Sequence, residues 1–302
     1  MKYICAQPAT LYYAWQIDTM LFSFVNVGIN LEDVHIVCAI HGDIHDHFNI
    51  MMQKYPGVTF SFYEDTRDKK SYIPNIQPHV FKKHFSAFPS LSEQTVFVHD
   101  ADIVFTKPLD INSFVTTEDC YLSDTISYIG ANYIKSKSEL ILEKMCSIVG
   151  IEKEVVEANQ KNSGGAQYIL NKVDKYYWYD VEKDAQRIFD EITLLSQEVS
   201  EDGKLPIQIW TAGMWSMLWN LWKRNKNTIV HDKMSFSWAT SPLKNWHKNA
   251  IYHNAGITSS MKGSFYKGEY ISKFPPLNLD IENKNCSYNY YNLLKQALSP
   301  NL

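Results

Sequence analysis

Cysteine is scarce in this chain and shows no pairing pattern. The five residues, Cys5, Cys38, Cys120, Cys146 and Cys286, are scattered, odd in number and form no Cys-x-x-Cys pair. That argues against a disulfide framework or a cysteine zinc site and fits the reduced thiols of a cytosolic protein. Long apolar runs are missing as well: no stretch approaches the roughly 18 uncharged apolar residues of a membrane span. The opening residues Met1-Lys2-Tyr3-Ile4-Cys5-Ala6 reach Gln7-Pro8 too soon to form a secretory leader. The expectation is a soluble protein without a membrane span, placed in the cytoplasm, or in a host's cytoplasm if the chain is viral. A basic excess is absent, with a net charge of −4 and a pI near 6.2, so no global field demands nucleic acid. No Gly-x-Gly-x-x-Gly follows the first apolar strand, which disfavours a dinucleotide-binding dehydrogenase. Internal repeats, low-complexity tracts and an obvious linker are lacking too.

What remains is a chain of 302 residues, 45% of them hydrophobic, enough for the core of one large α/β domain. Aromatics are frequent at 14%, with 19 Tyr and 8 Trp. Such rings line sugar and base sites, but in bulk they mostly fill cores. Residues 2–6 read as a short strand, and Thr10 precedes a helical pattern from Tyr12 to Phe24 that closes near Gly28. Val34–Ile40 and Val58–Tyr63 read as further strands. Ile76–Phe88 reads as a helix with Pro78 in its first turn. This β-α-β alternation implies right-handed crossovers and a mostly parallel sheet over the first hundred residues. Beyond it the pattern suggests strands at 119–128 and 130–134, helices at 138–149, 181–195 and 210–222, and a tail or short helix over 277–302. The histidines His41, His45 and His47 invite a metal reading. Gly42 between them and the lack of a carboxylate or Cys to complete the set favour a solvated loop.

The centre of the chain is Thr95-Val96-Phe97-Val98-His99-Asp100-Ala101-Asp102-Ile103-Val104-Phe105. An apolar run enters and another leaves, as in a buried strand of a parallel sheet. The carboxylates then fall at the carboxyl end of the strand, where open α/β sheets place ligands. In an extended stretch Asp100 and Asp102 point to one side, and two hard oxygens there can hold Mg²⁺ or Mn²⁺ against a diphosphate. A turn whose Asp side chains cap backbone N–H groups is the plain alternative. Between Asn162 and Gln167, glycines 164 and 165 allow close backbone approach and the two amides suit sugar hydroxyls. A Gly-Gly turn into a strand explains the same residues.

Joined together, four patches resemble a known family. They are Tyr12-Tyr13-Ala14-Trp15-Gln16; the helix beginning at Pro78 with Val98 to Pro108; Trp210-Thr211-Ala212-Gly213-Met214-Trp215; and Ile251-Tyr252-His253-Asn254-Ala255-Gly256 with Met261-Lys262-Gly263. In order and spacing they are similar to the GT-A nucleotide-sugar glycosyltransferases of the hydroxyproline O-arabinosyltransferase-like group, whose relatives include a peptidyl-serine galactosyltransferase. Three departures are Gln77 for a basic residue, Gly213 for a glutamate, and the lack of the anchor that plant members carry. The resemblance implies a GT-A fold, a Rossmann-like mostly parallel central sheet flanked by helices in a single large domain. Residues 1–275 would form it, with a nucleotide-sugar half to about 110 and an acceptor half from about 111, and residues 276–302 would be a tail.

It further implies a metal-dependent, retaining transfer from a UDP-sugar, a pentose such as arabinose before a hexose, to a hydroxyl acceptor. Asp100, Asp102 and His253 would hold Mn²⁺ or Mg²⁺. Gln7, Trp15, Gln16, Asp100, Ala101, Gly165, Gly256, Lys262 and Gly263 would bind the donor, with Lys262 on the diphosphate. Gln167 and Asn162 would act at the sugar, Gln167 facing the anomeric carbon. Plainer roles exist for several: Trp15 as a core residue, His253 as a buried structural one, Lys262 as a solvated lysine. No carboxylate base is well placed, since Glu201 and Asp202 fall in an expected loop. The acceptor would be a glycan, a protein, or a hydroxymethylated base of viral DNA. The last draws on Lys233, Lys244, Lys248, Lys262, Lys267 and Lys273, interleaved with Trp238, Trp246, Tyr252, Phe265 and Tyr266, a composition that can track phosphates and stack bases. A non-catalytic sugar-nucleotide or glycan-binding protein would need the aromatics and amides but not the metal set. A nuclease would need further acidic residues.

Overall fold

The computed structural model describes residues 1–110, 112, 114–199 and 206–299. Glu201 and Asp202 lie outside the described residues. In chain order the elements begin β1 (Lys2–Pro8), α1 (Leu11–Asn26), β2 (Val34–Ile40), α2 (His47–Lys54), β3 (Thr59–Glu64), α3 (Ile76–Ala87), β4 (Thr95–His99) and β5 (Ile103–Phe105). There follow β6 (Cys120–Asp124), α4 (Ile126–Ile129), α5 (Ala131–Lys137), α6 (Glu139–Val149), α7 (Lys153–Ala158), β7 (Gly164–Asn171) and α8 (Lys175–Glu198). The last are α9 (Ala212–Lys223), β8 (Thr228–Val230), β9 (Phe236–Trp238), β10 (Ile251–His253) and α10 (Cys286–Leu298). A mostly parallel seven-stranded sheet has the order β3-β2-β1-β4-β7-β6-β8, with β7 antiparallel to both its neighbours. A second, three-stranded sheet has the order β5-β10-β9.

The chain clusters into two compact units, and both draw on segments from before and after residue 110. One comprises Met1–Lys2, Asp65–Val98 and Asn112–Asp232; the other comprises Tyr3–Glu64, His99–Ile111 and Lys233–Leu302. In the latter, β1, β2 and β3 form a parallel ladder. Strand β2 is buried through Ala39, as its unbroken apolar run requires of a strand covered on both faces. Helix α1 closes where Gly28 takes φ +78°, a left-handed value that suits glycine. A cluster of Trp15, Tyr252, Phe265, Tyr290, Tyr291 and Leu294 forms much of the core of this unit. Residues 286–298 thus supply a packed helix. All five cysteines are buried thiols.

In the other unit, helices α8 and α9 share core contacts: the Tyr177 hydroxyl donates to Met217 O at 2.9 Å. Trp178 packs on Phe81 of α3 with ring centroids 4.6 Å apart. Two expectations need correction here. Gly130–Ile134 is not a strand but the entry to α5, because Gln160 Oε1 accepts the Asn132 N–H at 2.9 Å and so satisfies a helix-start donor. A cap supplied from 28 residues away leaves no local trace in the sequence. Helix α8 also begins earlier than Val181, since Asp174 caps it by accepting from the Tyr176 and Tyr177 N–H groups.

A buried charge ties α1, α2 and α10 together. Asp18, only 3% exposed, accepts from His47 Nε2 at 2.8 Å, Lys54 Nζ at 2.9 Å and the Tyr55 hydroxyl at 2.7 Å. Lys54 Nζ also donates to Ala297 O at 2.7 Å. The histidine-rich turn therefore delivers His47 to a carboxylate of α1. Burial alone would push the Asp18 carboxyl up, but the hydrogen bonds from His47 and Tyr55 and the Lys54 ammonium outweigh it and hold it below the ordinary value. A depressed folded-state value gives stability that is present above the unfolded-state pKa of about 4 and lost as pH falls through the lower folded value. We expect Asp18→Asn to lower unfolding free energy by about 2–3 kcal/mol at pH 7. In urea titrations the gap from wild type should narrow as the pH falls below the unfolded-state value of about 4. A constant gap between pH 7 and pH 2 would contradict this account.

Candidate active site

The site is assembled by one strand pairing. β4 ends at His99, and Asp100, Ala101 and Asp102 turn the chain out of the large sheet into β5 of the small one. The carboxylates thus stand at the carboxyl end of β4, and the Asp-x-Asp stretch itself is a turn rather than extended. β10 pairs antiparallel with β5, setting His253 opposite Ile103, and the Asn254 N–H donates to Asp102 O at 2.8 Å. This register brings a side chain from far along the sequence beside both aspartates. His253 Nε2 lies 3.3 Å from Asp102 Oδ1 and 3.7 Å from Asp100 Oδ2. On the other side β10 runs parallel to β9, and the Trp238 ring stacks on His253 at 5.9 Å with planes 13° apart.

Asp100, Asp102 and His253 each offer one ligand atom, all within 4.8 Å of one another, the only such group among the described residues. Two carboxylate oxygens and an imidazole nitrogen suit Mn²⁺ or Mg²⁺, and three protein ligands leave positions open for phosphate oxygens and water. The donor set fits the metal that the sequence implies. Asp102 and His253 are nearly buried at 8% and 11% side-chain exposure, while Asp100 stays open at 39%. Desolvation and the charge of Asp102 push the Asp100 carboxyl up to about 6, against the pull of His253 and Lys267. Burial also opposes ionisation of Asp102, but Lys267 and His253 outweigh it and hold that carboxyl well below the usual range. His253 is disfavoured as a cation by burial, yet the two aspartates raise its pKa above the ordinary value.

The other donor-binding candidates of this unit divide into those near the surface and those in the core. Gln7 is half-buried near the carboxyl end of β1, opposite Cys38 of β2. Trp15 has no exposed surface, and its indole N–H donates to Tyr270 O at 3.2 Å. Gln16 is 2% exposed and donates to Tyr12 O. Both belong to the core beneath the surface. Ala101 is buried in the turn between the carboxylates. Gly256 and Gly263 take φ of +86° and +73°, where glycine is favoured. At Gly263 a Cβ would lie 2.6 Å from Glu282 Cδ, so the close approach there is to the protein's own chain. Lys262 is exposed.

The glycine-amide element lies in the other unit. Its β7 ladder with β6 shifts register between Leu122 and Ser123, and Ala166 takes φ +68° at that bulge. Bulges and left-handed non-glycine residues gather at functional sites. A Cβ on Gly165 would meet Met214 Cε at 2.6 Å and the Tyr168 hydroxyl at 2.8 Å, so the segment containing Met214 packs directly on this glycine. Thus the Trp210–Trp215 patch and the Gly-Gly element, separate in sequence, come together. Asn162 is half-buried and its carbonyl accepts from Thr228 Oγ1 at 3.2 Å. Gln167 has no exposed surface and accepts from Ser123 Oγ at 2.7 Å. Its carboxamide is thus held against Ser123 of β6. Gly213 N donates to the Tyr72 hydroxyl at 2.8 Å, so the position where the family carries a glutamate is a backbone contact here.

Two residues beside the Asp-Asp-His cluster entered the sequence reading only as members of a longer stretch. Lys267 places its ammonium on Asp102 Oδ2, and Trp238 covers the His253 ring. Both stand in the Lys- and aromatic-rich stretch of 233–273, where no spacing singles them out. In the same stretch Tyr252 and Phe265 are buried and Trp246 is 9% exposed, while Trp238 is 36% exposed. Lys233 pairs with Asp110 at 2.6 Å.

No protein-family model and no curated protein sequence matches this chain. Solved structures do match it. The apo structure of the bifunctional glycosyltransferase WbbM aligns with a TM-score of 0.50 at 10% identity, over 99% of this chain and 50% of that one. The glycosyltransferase GlyE of Streptococcus pneumoniae TIGR4 aligns with a TM-score of 0.47 at 11% identity, over 99% and 61%. Mouse xyloside xylosyltransferase 1 in its apo form aligns with a TM-score of 0.39 at 8% identity, over 84% and 97%. The chain thus spans half the length of WbbM and 61% of GlyE. The likeness to WbbM, with the helix-flanked, mostly parallel sheet, identifies the fold as that of a GT-A glycosyltransferase.

Proposed function

We propose that this chain is a metal-dependent glycosyltransferase that moves a sugar from a nucleotide diphosphate donor, a UDP-sugar, to a hydroxyl group. The observation that carries this reading is the convergence of Asp100, Asp102 and His253 on a glycosyltransferase fold. A divalent ion held there supplies Lewis-acid stabilisation of the charge that develops on the departing diphosphate. Asp102 and His253 are pre-positioned by the β5–β10 ladder, so they lose little freedom on binding. Asp100, the open member, presents its carboxylate toward solvent, the side from which a donor arrives. Gly256 and Gly263 shape the loop that carries Lys262, whose exposed ammonium is available to an incoming phosphate.

The donor sugar in this reading is a pentose, arabinose first, on the strength of the family resemblance, and the acceptor is a glycan or a protein hydroxyl. A modified DNA base is the less favoured acceptor, because three of the five rings named for base stacking, Tyr252, Phe265 and Trp246, are core residues. Transfer with retention follows from the resemblance and from chemistry. An inverting enzyme needs a base to deprotonate the acceptor on the face opposite the leaving group. In a front-face reaction the departing phosphate takes that proton.

Asp102→Asn should cut transfer by at least about 100-fold, because removing a ligand forfeits several kcal/mol of charge stabilisation. Donor turnover measured with Mn²⁺, with and without excess chelator, checks this, and full activity in chelator would remove the metal role. His253→Ala should weaken metal-dependent donor binding in the same assay.

The stereochemical reading has its own check. ¹H NMR of the fresh product should show the donor's anomeric configuration preserved, and an inverted product would refute retention.

A further inference from the structure

Asp102 has two carboxylate oxygens, and both face donors. Oδ2 takes the ammonium of Lys267, and Oδ1 faces His253 Nε2 at 3.3 Å. With its side chain only 8% exposed, the carboxylate offers little further direction of approach. A divalent ion held by Asp102 and His253 would therefore share the carboxylate with the Lys267 ammonium on its other oxygen. The two donors differ in what holds them. His253 is fixed by the backbone ladders on both sides of β10 and by the stacked Trp238 ring. Lys267 stands at the start of the short 3₁₀ turn Lys267–Glu269, outside any strand, and its side chain is 27% exposed. A four-carbon stem ending in a compact charge, anchored on a turn, is the element that can yield.

We propose that Lys267 is the resident counter-ion of the carboxylate pair, that it competes with the divalent metal for Asp102, and that the donor's diphosphate takes over its ammonium when metal and nucleotide enter together. This rests on the reading of Asp100, Asp102 and His253 as metal ligands. Adding a divalent ion beside a retained ammonium sets like charges against each other in a half-buried site, so metal alone binds weakly. A diphosphate adds the negative charge that both cations need, and it becomes a neighbour of Asp102 by sharing the ion. Lys267 then exchanges one oxyanion for another without leaving the site. No covalent bond changes. Metal and nucleotide are thereby coupled, and the coupling is reciprocal: each raises the affinity of the other. Lys267 is thus a positioning residue for the empty site and a phosphate contact in the loaded one, distinct from Lys262.

The test is Mn²⁺ binding by titration calorimetry and by electron paramagnetic resonance, on wild type, Lys267→Met, Lys267→Gln, Lys267→Arg and Asp102→Asn, each with and without UDP. Lys267→Met and Lys267→Gln should bind Mn²⁺ alone about tenfold more tightly than wild type, since a competing charge is gone. UDP should tighten Mn²⁺ binding more in wild type than in either variant, and Lys267→Arg should resemble wild type. Equal Mn²⁺ affinity in wild type and both neutral variants, with binding lost in Asp102→Asn, would overturn the role of Lys267 and leave the metal set standing. Equal UDP enhancement in wild type and neutral variants would overturn the hand-over to the diphosphate. Undiminished Mn²⁺ binding by Asp102→Asn would overturn the metal reading and this inference with it.

Discussion

The pairing of β5 with β10 is the constraint on which the site depends. Three residues on each strand fix the register, and the Asn254–Asp102 backbone hydrogen bond extends it by one step. In a β-ladder a slip of one residue turns every side chain to the opposite face. A slip here would carry His253 away from the carboxylates and replace it with Tyr252 or Asn254. Tyr252 guards against that slip: it is fully buried, stacks on Tyr290 at 5.2 Å, and donates to Asn254 Oδ1 at 3.0 Å. The apolar side of the strand therefore fixes the chemical side.

Aromatic residues do this work throughout the unit that carries the carboxylates. Phe265 stacks on Tyr270 with planes 6° apart and packs on Tyr291, and Trp15 meets Phe265 edge-on at 5.9 Å. Offset and edge-to-face rings contribute beyond their buried area and accept few alternative arrangements. The last helix, α10, supplies Tyr290 and Tyr291 to this packing and receives Lys54 at its Ala297 carbonyl. Much of the aromatic composition of this unit is thus spent on the core behind the short three-stranded sheet.

Much of this was legible in the sequence and some was not, for identifiable reasons. Periodicity found β1, β2, β3, α1 and α3, because each is an unbroken apolar pattern with a local stop. The Asp100–Asp102–His253 cluster was legible because its residues stand inside recognisable patches. The turn at the carboxylates was one of two readings of Asp-x-Asp, since apolar runs flank it on both sides. The start of α5 was hidden because its cap comes from Gln160. Trp15, Gln16 and Gln167 belong to motif positions, yet a motif records residue type and not which way the side chain faces, and all three are buried. Lys267 was one lysine among several, and only the fold distinguishes it by touching Asp102.

The chain separation within the metal set bears on how the protein reaches its native state. Asp102 and His253 stand about 150 residues apart, so bringing them together closes a loop whose entropic cost precedes any contact that repays it. Contacts of such long range form slowly compared with helices or neighbouring parallel strands. The three-stranded sheet must wait for the segment from 233 to 253 and for α10, which closes the aromatic core behind it. Assembly of the β1–β3 ladder, built from the first 64 residues, has no such delay. The carboxylates and the histidine meet only across this long loop, and a chain without its final helix lacks the packing that aligns them.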